Sequence, residues 1–179
     1  ILQLESYQAT ALRIAIRLTQ FFVSDQPNHA LVRTLANRFT TSQGDMRVVM
    51  QALIENEAFW RSEHSLFKTP YDFACSALLA INQAPDRQHT AQVLRFLNQA
   101  GQPVHSWQTP DGYPTDAATW LSPESLTRRA DFAMALSRQM APPDFLNAFF
   151  GTATRTRIGK EPTSMQAGLM LASPDFMRK

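Results

Sequence analysis

The feature that most constrains the fold is the repeat of apolar residues at three- and four-residue spacing along most of the chain. Residues 7–23 carry two such stripes side by side, made of Ala9, Leu12, Ile16, Val23 and of Ala11, Ala15, Leu18, Phe22. A helix with so narrow a polar strip is buried over most of its surface. The same spacing recurs at residues 27–39, 45–56, 69–81, 88–100, 122–140, 145–150 and 164–172. The pattern predicts an all-α protein.

Specific start and stop signals separate these segments. Residues 69–72 supply a threonine cap, a proline at the first helical position and an acid in the first turn, a start signal of the capping-box kind. Ser122 and Pro123 form a second start signal, and Gly101 is expected to end the helix over 88–100 in the left-handed conformation. We predict an irregular bundle of about eight short helices, with one long ordered loop rich in Trp and Pro after Gly101.

Size and charge limit the classes of protein to which the chain can belong. Its 179 residues are enough for one domain with a real core, so we expect a single helical domain over residues 1–179. Seventeen Lys and Arg against fifteen Asp and Glu give a net charge of +2, which is too weak for a dedicated nucleic-acid-binding protein. No apolar run reaches the length of about 18 residues that a transmembrane helix needs, so no membrane span is expected.

The residue types that carry catalysis or bind metals are sparse and scattered. The four histidines lie at least sixteen residues apart and have no second ligand one helical turn away, which argues against a local zinc site. The Gly-x-Ser-x-Gly nucleophile elbow and the glycine-rich phosphate loops are absent. Cys75 is the single cysteine and is expected to be an inert thiol within a helix. We predict no cofactor and no metal, and we favour a protein that is not an enzyme.

The loop after Gly101 is the segment that helix packing explains least. It interleaves prolines with aromatic, acidic and histidine side chains, and Asp116 or Thr115 is expected to cap a single helical turn ending at Trp120. A stiff loop of this kind suits the stacking of a sugar or the holding of a peptide. The candidate ligand-binding residues are His105, Trp107, Asp111, Tyr113 and Trp120, with Arg128 from the following helix. The alternative, which we favour, is that Trp107 and Trp120 fasten the loop to the bundle.

Two basic groups are weighed beside the loop. Arg128 and Arg129 lie near Glu124 and Asp131 at the spacing of intrahelical ion pairs, so both arginines are expected on a solvated helix face. Arg155, Arg157 and Lys160 form a second basic group, in a predicted loop rich in Thr, that suits an anion or an acidic partner.

Several short motifs, taken in order, resemble one bacterial family. They are the runs FFVSD at 21–25, FKTPYDF at 67–73, TPDGYP at 109–114, WLSP at 120–123 and SPDF at 173–176. In this order they look like the C-terminal part of the family called domain of unknown function 1800. The chain departs from that pattern at Tyr7-Gln8, where relatives commonly have a His-Pro pair.

The resemblance carries expectations about context, and it transfers no catalytic residues. It implies a helical protein that is often exported or periplasmic, and that is often encoded beside another uncharacterised exported protein. It also implies an N-terminal helical half that is missing from this chain, so the chain is expected to be the C-terminal portion of a longer bacterial protein.

Two functional hypotheses remain open at this point. The first is a non-catalytic helical interaction or scaffold module, whose partners are the missing N-terminal half of the same protein and a second exported bacterial protein. The second is an enzyme or glycan-binding protein of the cell envelope that uses the loop from Trp107 to Trp120 as a ligand platform. Buried indoles favour the first hypothesis, and exposed indoles around an open cleft favour the second.

Overall fold

The computed structural model describes residues 8–81, 86–110, 112–138 and 150–179, and within these ranges the fold is all-α, as predicted. The described helices are α1 Gln8–Phe22, α2 His29–Thr41, α3 Met46–Ile54, α4 Glu57–Trp60, α5 Pro70–Ala80, α6 Arg87–Gln99, α7 Ala117–Trp120, α8 Pro123–Leu136, α9 Thr152–Ile158 and α10 Thr163–Leu171. Two of these ten, α4 and α7, are single turns, so the prediction of about eight short helices is close.

The chain forms two compact units, unit 1 over Ile1–Leu66 and unit 2 over Phe67–Lys179. The expectation of one domain over the whole chain stays a prediction. None of the described helices combines the length and the apolar character that are needed to cross a bilayer.

Unit 1 is built from α1 to α4 around an apolar core. Each of α2, α3 and α4 begins at a side-chain cap, because Asn28, Asp45 and Asn56 each accept a hydrogen bond from the backbone N–H two residues ahead. The core consists of Ala11, Ala15, Val23, Leu31, Val32, Leu35, Ala36, Phe39, Val49 and Leu53. Ala11 and Ala15 of α1 face this core as predicted, but Ile16 and Phe22 are 38% and 37% exposed, so the prediction that α1 is buried over most of its surface was wrong.

Unit 2 is built from α5 to α10 around a core rich in aromatic rings. Phe73 on α5 lies at its centre and is fully buried, with ring centroids 5.9 Å from Phe96, 6.3 Å from Phe132 and 6.0 Å from Phe176. The predicted capping box at the start of α5 is confirmed. The Asp72 N–H donates to the Thr69 hydroxyl at 3.2 Å, and the Thr69 N–H donates back to the Asp72 carboxylate at 3.3 Å.

Helices α8 and α10 approach each other closely at Gly168. A Cβ atom added to Gly168 would lie 2.8 Å from the Ser137 hydroxyl oxygen and 3.2 Å from the Met134 Cα, and closer still to the Met134 sulfur. Only the absence of a side chain permits this approach, so Gly168 is a packing residue of unit 2.

The last residues of the chain are joined to the start of unit 2. The Lys68 N–H donates to the Met177 carbonyl at 2.8 Å, and Phe67 and Arg178 form an isolated antiparallel bridge. Phe176 packs edge-on against Phe73. These contacts place residues 176–179 next to residues 67–73.

Two assignments differ from the sequence predictions. Helix α8 ends at Leu136 with Ser137 as its C-cap, four residues before the predicted end near Met140. Residues 152–158 form helix α9, so the prediction of a Thr-rich loop there was wrong. The hydroxyl of Thr156 donates to the Thr152 carbonyl at 2.8 Å, which satisfies a polar side chain inside the helix. Of the helix predicted over 145–150, only Phe150 lies within the described residues, and it is buried.

Candidate functional site

The loop between α6 and α7 begins with the predicted left-handed glycine. Gly101 has φ +79°, and its N–H donates to the Asn98 carbonyl at the end of α6. The next side chain ties the loop to α5, because the Gln102 side-chain oxygen accepts a hydrogen bond of 2.8 Å from the Tyr71 N–H. Gly112 also has a positive φ, +75°, a conformation that glycine adopts without strain.

The far end of the loop is fastened to the core by Trp120. This side chain is 5% exposed, lies in the apolar core of unit 2, and donates its indole N–H to the Pro114 carbonyl at 2.9 Å. The single turn α7 that carries it starts at Asp116, as the sequence predicts, and the Asp116 carboxylate accepts the Thr119 N–H at 2.9 Å. That backbone N–H lowers the pKa of the Asp116 carboxyl.

Trp107 and Tyr113 meet in the middle of the loop. Their ring centroids lie 4.6 Å apart at an interplanar angle of 43°. The Tyr113 hydroxyl donates to the Pro103 carbonyl at 2.5 Å, so the phenol links the start of the loop to its later part. Trp107 remains 43% exposed, which leaves part of its indole in contact with solvent. The two tryptophans of the loop therefore differ, since one is buried and the other is half exposed.

The remaining candidate residues lie elsewhere on the loop and on α8. His105 is exposed and has a left-handed backbone with φ +59°. Arg128 donates to the Glu124 carboxylate at 2.6 Å along α8, as the sequence spacing predicts. Asp111 lies outside the described residues. In the described ranges the loop thus presents one aromatic pair, Trp107 and Tyr113, in which the Tyr113 hydroxyl is bonded to the backbone of Pro103.

The other groups considered from the sequence are possible metal ligands, the single cysteine and the basic residues near α9. Among the described residues, no group of three or more His, Cys, Asp or Glu side chains is placed to hold a metal ion. Cys75 is a free thiol and is half buried in α5. Of the basic group on α9, Arg157 and Lys160 line a shallow surface depression with Thr152 and Thr156.

Arg129 is the residue that the sequence interpretation placed wrongly. It was expected on a solvated face beside Arg128, yet its side chain is fully buried and is the largest side chain so enclosed in the described ranges. Its guanidinium lies over the ring of Phe67, 4.6 Å from the centroid, and 5.2 Å from that of Phe73. Within the described part of the chain, none of its three guanidinium nitrogens has a hydrogen-bond partner.

A buried, unpartnered guanidinium is unfavourable for stability. Removing such an ion from water costs several kcal/mol even after the protein relaxes. A cation–π contact returns roughly 0.5–2 kcal/mol. It does not replace the hydrogen bonds that the guanidinium N–H groups lack among the described residues. Burial lowers the pKa of Arg129 to about 10, against the opposing field of Asp72, so the side chain is still charged at neutral pH. Packing alone therefore does not explain a buried charge at this position.

Further charged groups surround this arginine. Lys68 is half buried and holds its ammonium group 4.0 Å from the centroid of the Phe176 ring. Burial lowers the pKa of Lys68 to about 8, while Asp72 opposes the shift and the positive charges of Lys179 and Arg129 add to it. Lys179 donates to the Asp72 carboxylate at 2.6 Å. We call Lys68, Asp72, Arg129 and Lys179 the Arg129 cluster.

A signal for the burial of Arg129 was present in the sequence. Arg129 follows Leu126 by three residues and precedes Phe132 and Ala133 by three and four. Positions at this spacing share one face of a helix, and Phe132 and Ala133 are buried. The ion-pair spacing of Glu124 and Arg128 was correct for Arg128, but it does not extend to the residue beside it, which points about 100° away.

The model of a family described as a protein of unknown function, DUF1800, matches residues 2–178. The resemblance drawn from the motifs is thereby confirmed, and the assignment to the C-terminal part of that family stays a prediction. The chain matches none of the curated proteins and none of the solved structures.

Proposed function

This chain belongs to the DUF1800 family, whose description states no activity, and we propose that it acts as a non-catalytic helical interaction module. Its contact surface is the ordered loop between α6 and α7, centred on Trp107. The observation that carries the proposal is the buried, hydrogen-bonded Trp120, which favours the module over an open ligand cleft, while Trp107, 43% exposed on the same loop, supplies the contact surface.

The loop is held in place before any partner binds. Trp120 bonds to Pro114, Tyr113 bonds to Pro103, and Gln102 bonds to the start of α5. An aromatic side chain on a pre-ordered loop buries much area on binding and loses little conformational entropy. Trp107 is therefore suited to be the anchor of an interface, since tryptophan is enriched among residues that contribute most to binding energy.

Apolar side chains near this anchor extend the surface. Val104 is 44% exposed in the same loop, and Tyr71, whose backbone bonds to Gln102, is 53% exposed. The two partners that fit the family context are the N-terminal half of the longer family protein and a second exported bacterial protein. An export location is part of this proposal and rests on the family resemblance alone.

The test places a photoreactive phenylalanine analogue at position 107 of the full-length protein in its own cells. Position 60 is the matched control, because Trp60 is also exposed, at 68%, but lies in unit 1. We expect a discrete cross-link from position 107 and none from position 60. An internal cross-link identifies the N-terminal half, and a cross-link to another chain identifies a separate partner.

The purified partner then gives the quantitative test. Trp107→Ala is expected to weaken its binding by at least about tenfold, as for a typical anchor residue, while Trp60→Ala leaves the affinity unchanged. Equal affinities for both variants would remove the loop from the interface.

A second candidate function rests on the same exposed indole. A half-exposed tryptophan face also suits stacking on a sugar ring, so an envelope glycan-binding protein or enzyme using Trp107, Tyr113 and Asp111 is the alternative. Binding on an oligosaccharide array that disappears in Trp107→Ala would support this alternative over the interaction module. Hydrolysis that disappears in Asp111→Asn would further support an enzyme.

A further inference from the structure

The Arg129 cluster carries more positive than negative charge. In the described ranges Asp72 is the carboxylate whose charge opposes the burial of both Lys68 and Arg129. The Asp72 carboxylate already accepts hydrogen bonds from the Lys179 ammonium and the Thr69 N–H. The positive charges of Lys68 and Arg129 are therefore opposed by a carboxylate that is already hydrogen-bonded, and the Arg129 guanidinium nitrogens have no partner among the described residues.

The geometry points to an anion-binding site, and we propose that the Arg129 cluster binds a doubly charged tetrahedral oxyanion, that is, a phosphate group. The Arg129 guanidinium and the Lys68 ammonium are the groups that hold it. The phosphate is either free or carried as the monoester of a small molecule. This proposal is independent of the interaction surface at Trp107.

The chemistry of the two side chains favours a phosphate group over other anions. A guanidinium presents planar, paired N–H donors that match two oxygens of a phosphate, and the ammonium adds a point charge. A phosphate monoester carries close to two negative charges at neutral pH, which balances the excess of the cluster. A carboxylate would neutralise only one of the two charges.

We expect an anion to approach Arg129 from the side of Lys68. Arg129 is enclosed, whereas Lys68 is half buried and its ammonium lies over Phe176 in the segment that pairs with residues 67 and 68. We expect the anion to displace the Lys68 side chain from the Phe176 ring and to reach the guanidinium beside it. The aromatic faces of Phe67 and Phe73 keep the guanidinium in place during this step.

The first experiment is calorimetric titration of the whole chain with inorganic phosphate at constant ionic strength. We expect saturable binding that weakens by at least about tenfold in Arg129→Met, because the paired donors are lost. Arg95→Gln is the matched control, since Arg95 is an exposed arginine on α6 of the same unit, and it should bind as the wild type does. Equal binding by wild type and Arg129→Met, or no saturable binding by the wild type, overturns the proposal.

Whether Arg129→Met folds also tests the proposal. Methionine fills a similar volume without a charge, so Arg129→Met is expected to fold and to melt no lower than the wild type. A variant that fails to fold would show that Arg129 is paired structurally, and it would overturn the proposal. Lys68→Gln gives a second measurement at a less buried position and is expected to lower the phosphate affinity severalfold.

The pH dependence adds a readout that a merely structural arginine would not give. Sulfate is the probe, because its charge does not change near neutral pH. The charged neighbours of Lys68 are Asp72, Lys179 and Arg129, and its pKa is about 8. Sulfate affinity should therefore fall between about pH 7 and about pH 9 as Lys68 loses its proton, and the fall should be smaller in Lys68→Gln. An affinity independent of pH in the wild type would contradict the role of Lys68.

Two further ligands distinguish a free phosphate ion from a phosphate monoester. Glycerol phosphate that binds more tightly than inorganic phosphate identifies a small monoester, and the reverse order identifies the free ion. Acetate that binds as tightly as phosphate would overturn the assignment to a doubly charged anion.

Discussion

The cores of the two units differ in what they enclose. In unit 1 the described buried residues are apolar except Thr19, whose hydroxyl donates to the Ala15 carbonyl at 2.8 Å within α1. Unit 2 encloses the side chain of Arg129 with no hydrogen-bond partner in the described ranges. The core of unit 1 is thus explained by the spacing of its apolar residues and by a hydrogen bond made within the same helix. Unit 2 keeps a charge that packing alone would remove, which makes it the better place to look for a ligand.

The largest effect is expected from placing a buried charge in the core of unit 1, as Arg129 is placed in unit 2. Leu35 is fully buried in the unit 1 core, so Leu35→Arg would enclose a charge with no ligand or carboxylate prepared for it. We expect a loss of more than about 4 kcal/mol in the free energy of unfolding, measured by urea denaturation. Leu35→Met is the control and should lose less than about 1.5 kcal/mol. A well-folded Leu35→Arg would mean that unit 1 tolerates buried charge and that the comparison fails.

The second effect has the opposite sign. Arg129→Met is expected to leave the stability of unit 2 unchanged or to raise it by about 1–4 kcal/mol in the absence of phosphate, because the enclosed guanidinium is removed and its volume is retained. Denaturation in phosphate-free buffer measures this difference. A loss of several kcal/mol would place Arg129 among ordinary structural residues and would make the two cores equivalent.

The third effect probes the close approach of α8 and α10 beside this core. Gly168→Ala introduces a Cβ 2.8 Å from the Ser137 oxygen and 3.2 Å from a backbone atom of Met134. We expect a loss of about 1–3 kcal/mol, the usual range for an overpacked core, measured by thermal or chemical unfolding. Gly151→Ala is the control, since a Cβ there meets nothing within 4 Å, and it should lose less.

The smallest effect tests a feature that is local in both units, the helix cap. Thr69→Ala removes the side-chain acceptor at the start of α5 and should lower the free energy of unfolding by about 1 kcal/mol. Asn28→Ala at the start of α2 removes the corresponding acceptor in unit 1 and should have an effect of the same size. Circular dichroism during denaturation measures both, and a much larger loss for Thr69→Ala would show that this cap also supports the Arg129 cluster through Asp72.

The candidate loop was predicted in part. The left-handed Gly101, the cap at Asp116 and the single turn ending at Trp120 were all indicated by residues that lie next to each other in sequence. The sequence did not separate Trp107 from Trp120, because both are tryptophans in the same proline-rich segment. Their difference depends on which indole reaches the aromatic core of unit 2, and that core is assembled from helices across residues 67–179.

What the sequence determined by itself is the local structure. Caps and helical periodicity act between residues that are two to four positions apart, so a short window of sequence holds all the interacting groups. What only the tertiary structure decided is which faces and side chains are enclosed. Arg128 stays paired with Glu124 at the surface while Arg129 lies against Phe67 and Phe73, roughly sixty residues earlier in the chain. The spacing within α8 places Arg129 on the inner face of the helix, but the residues that enclose its side chain are distant in sequence, and no local pattern of α8 identifies them.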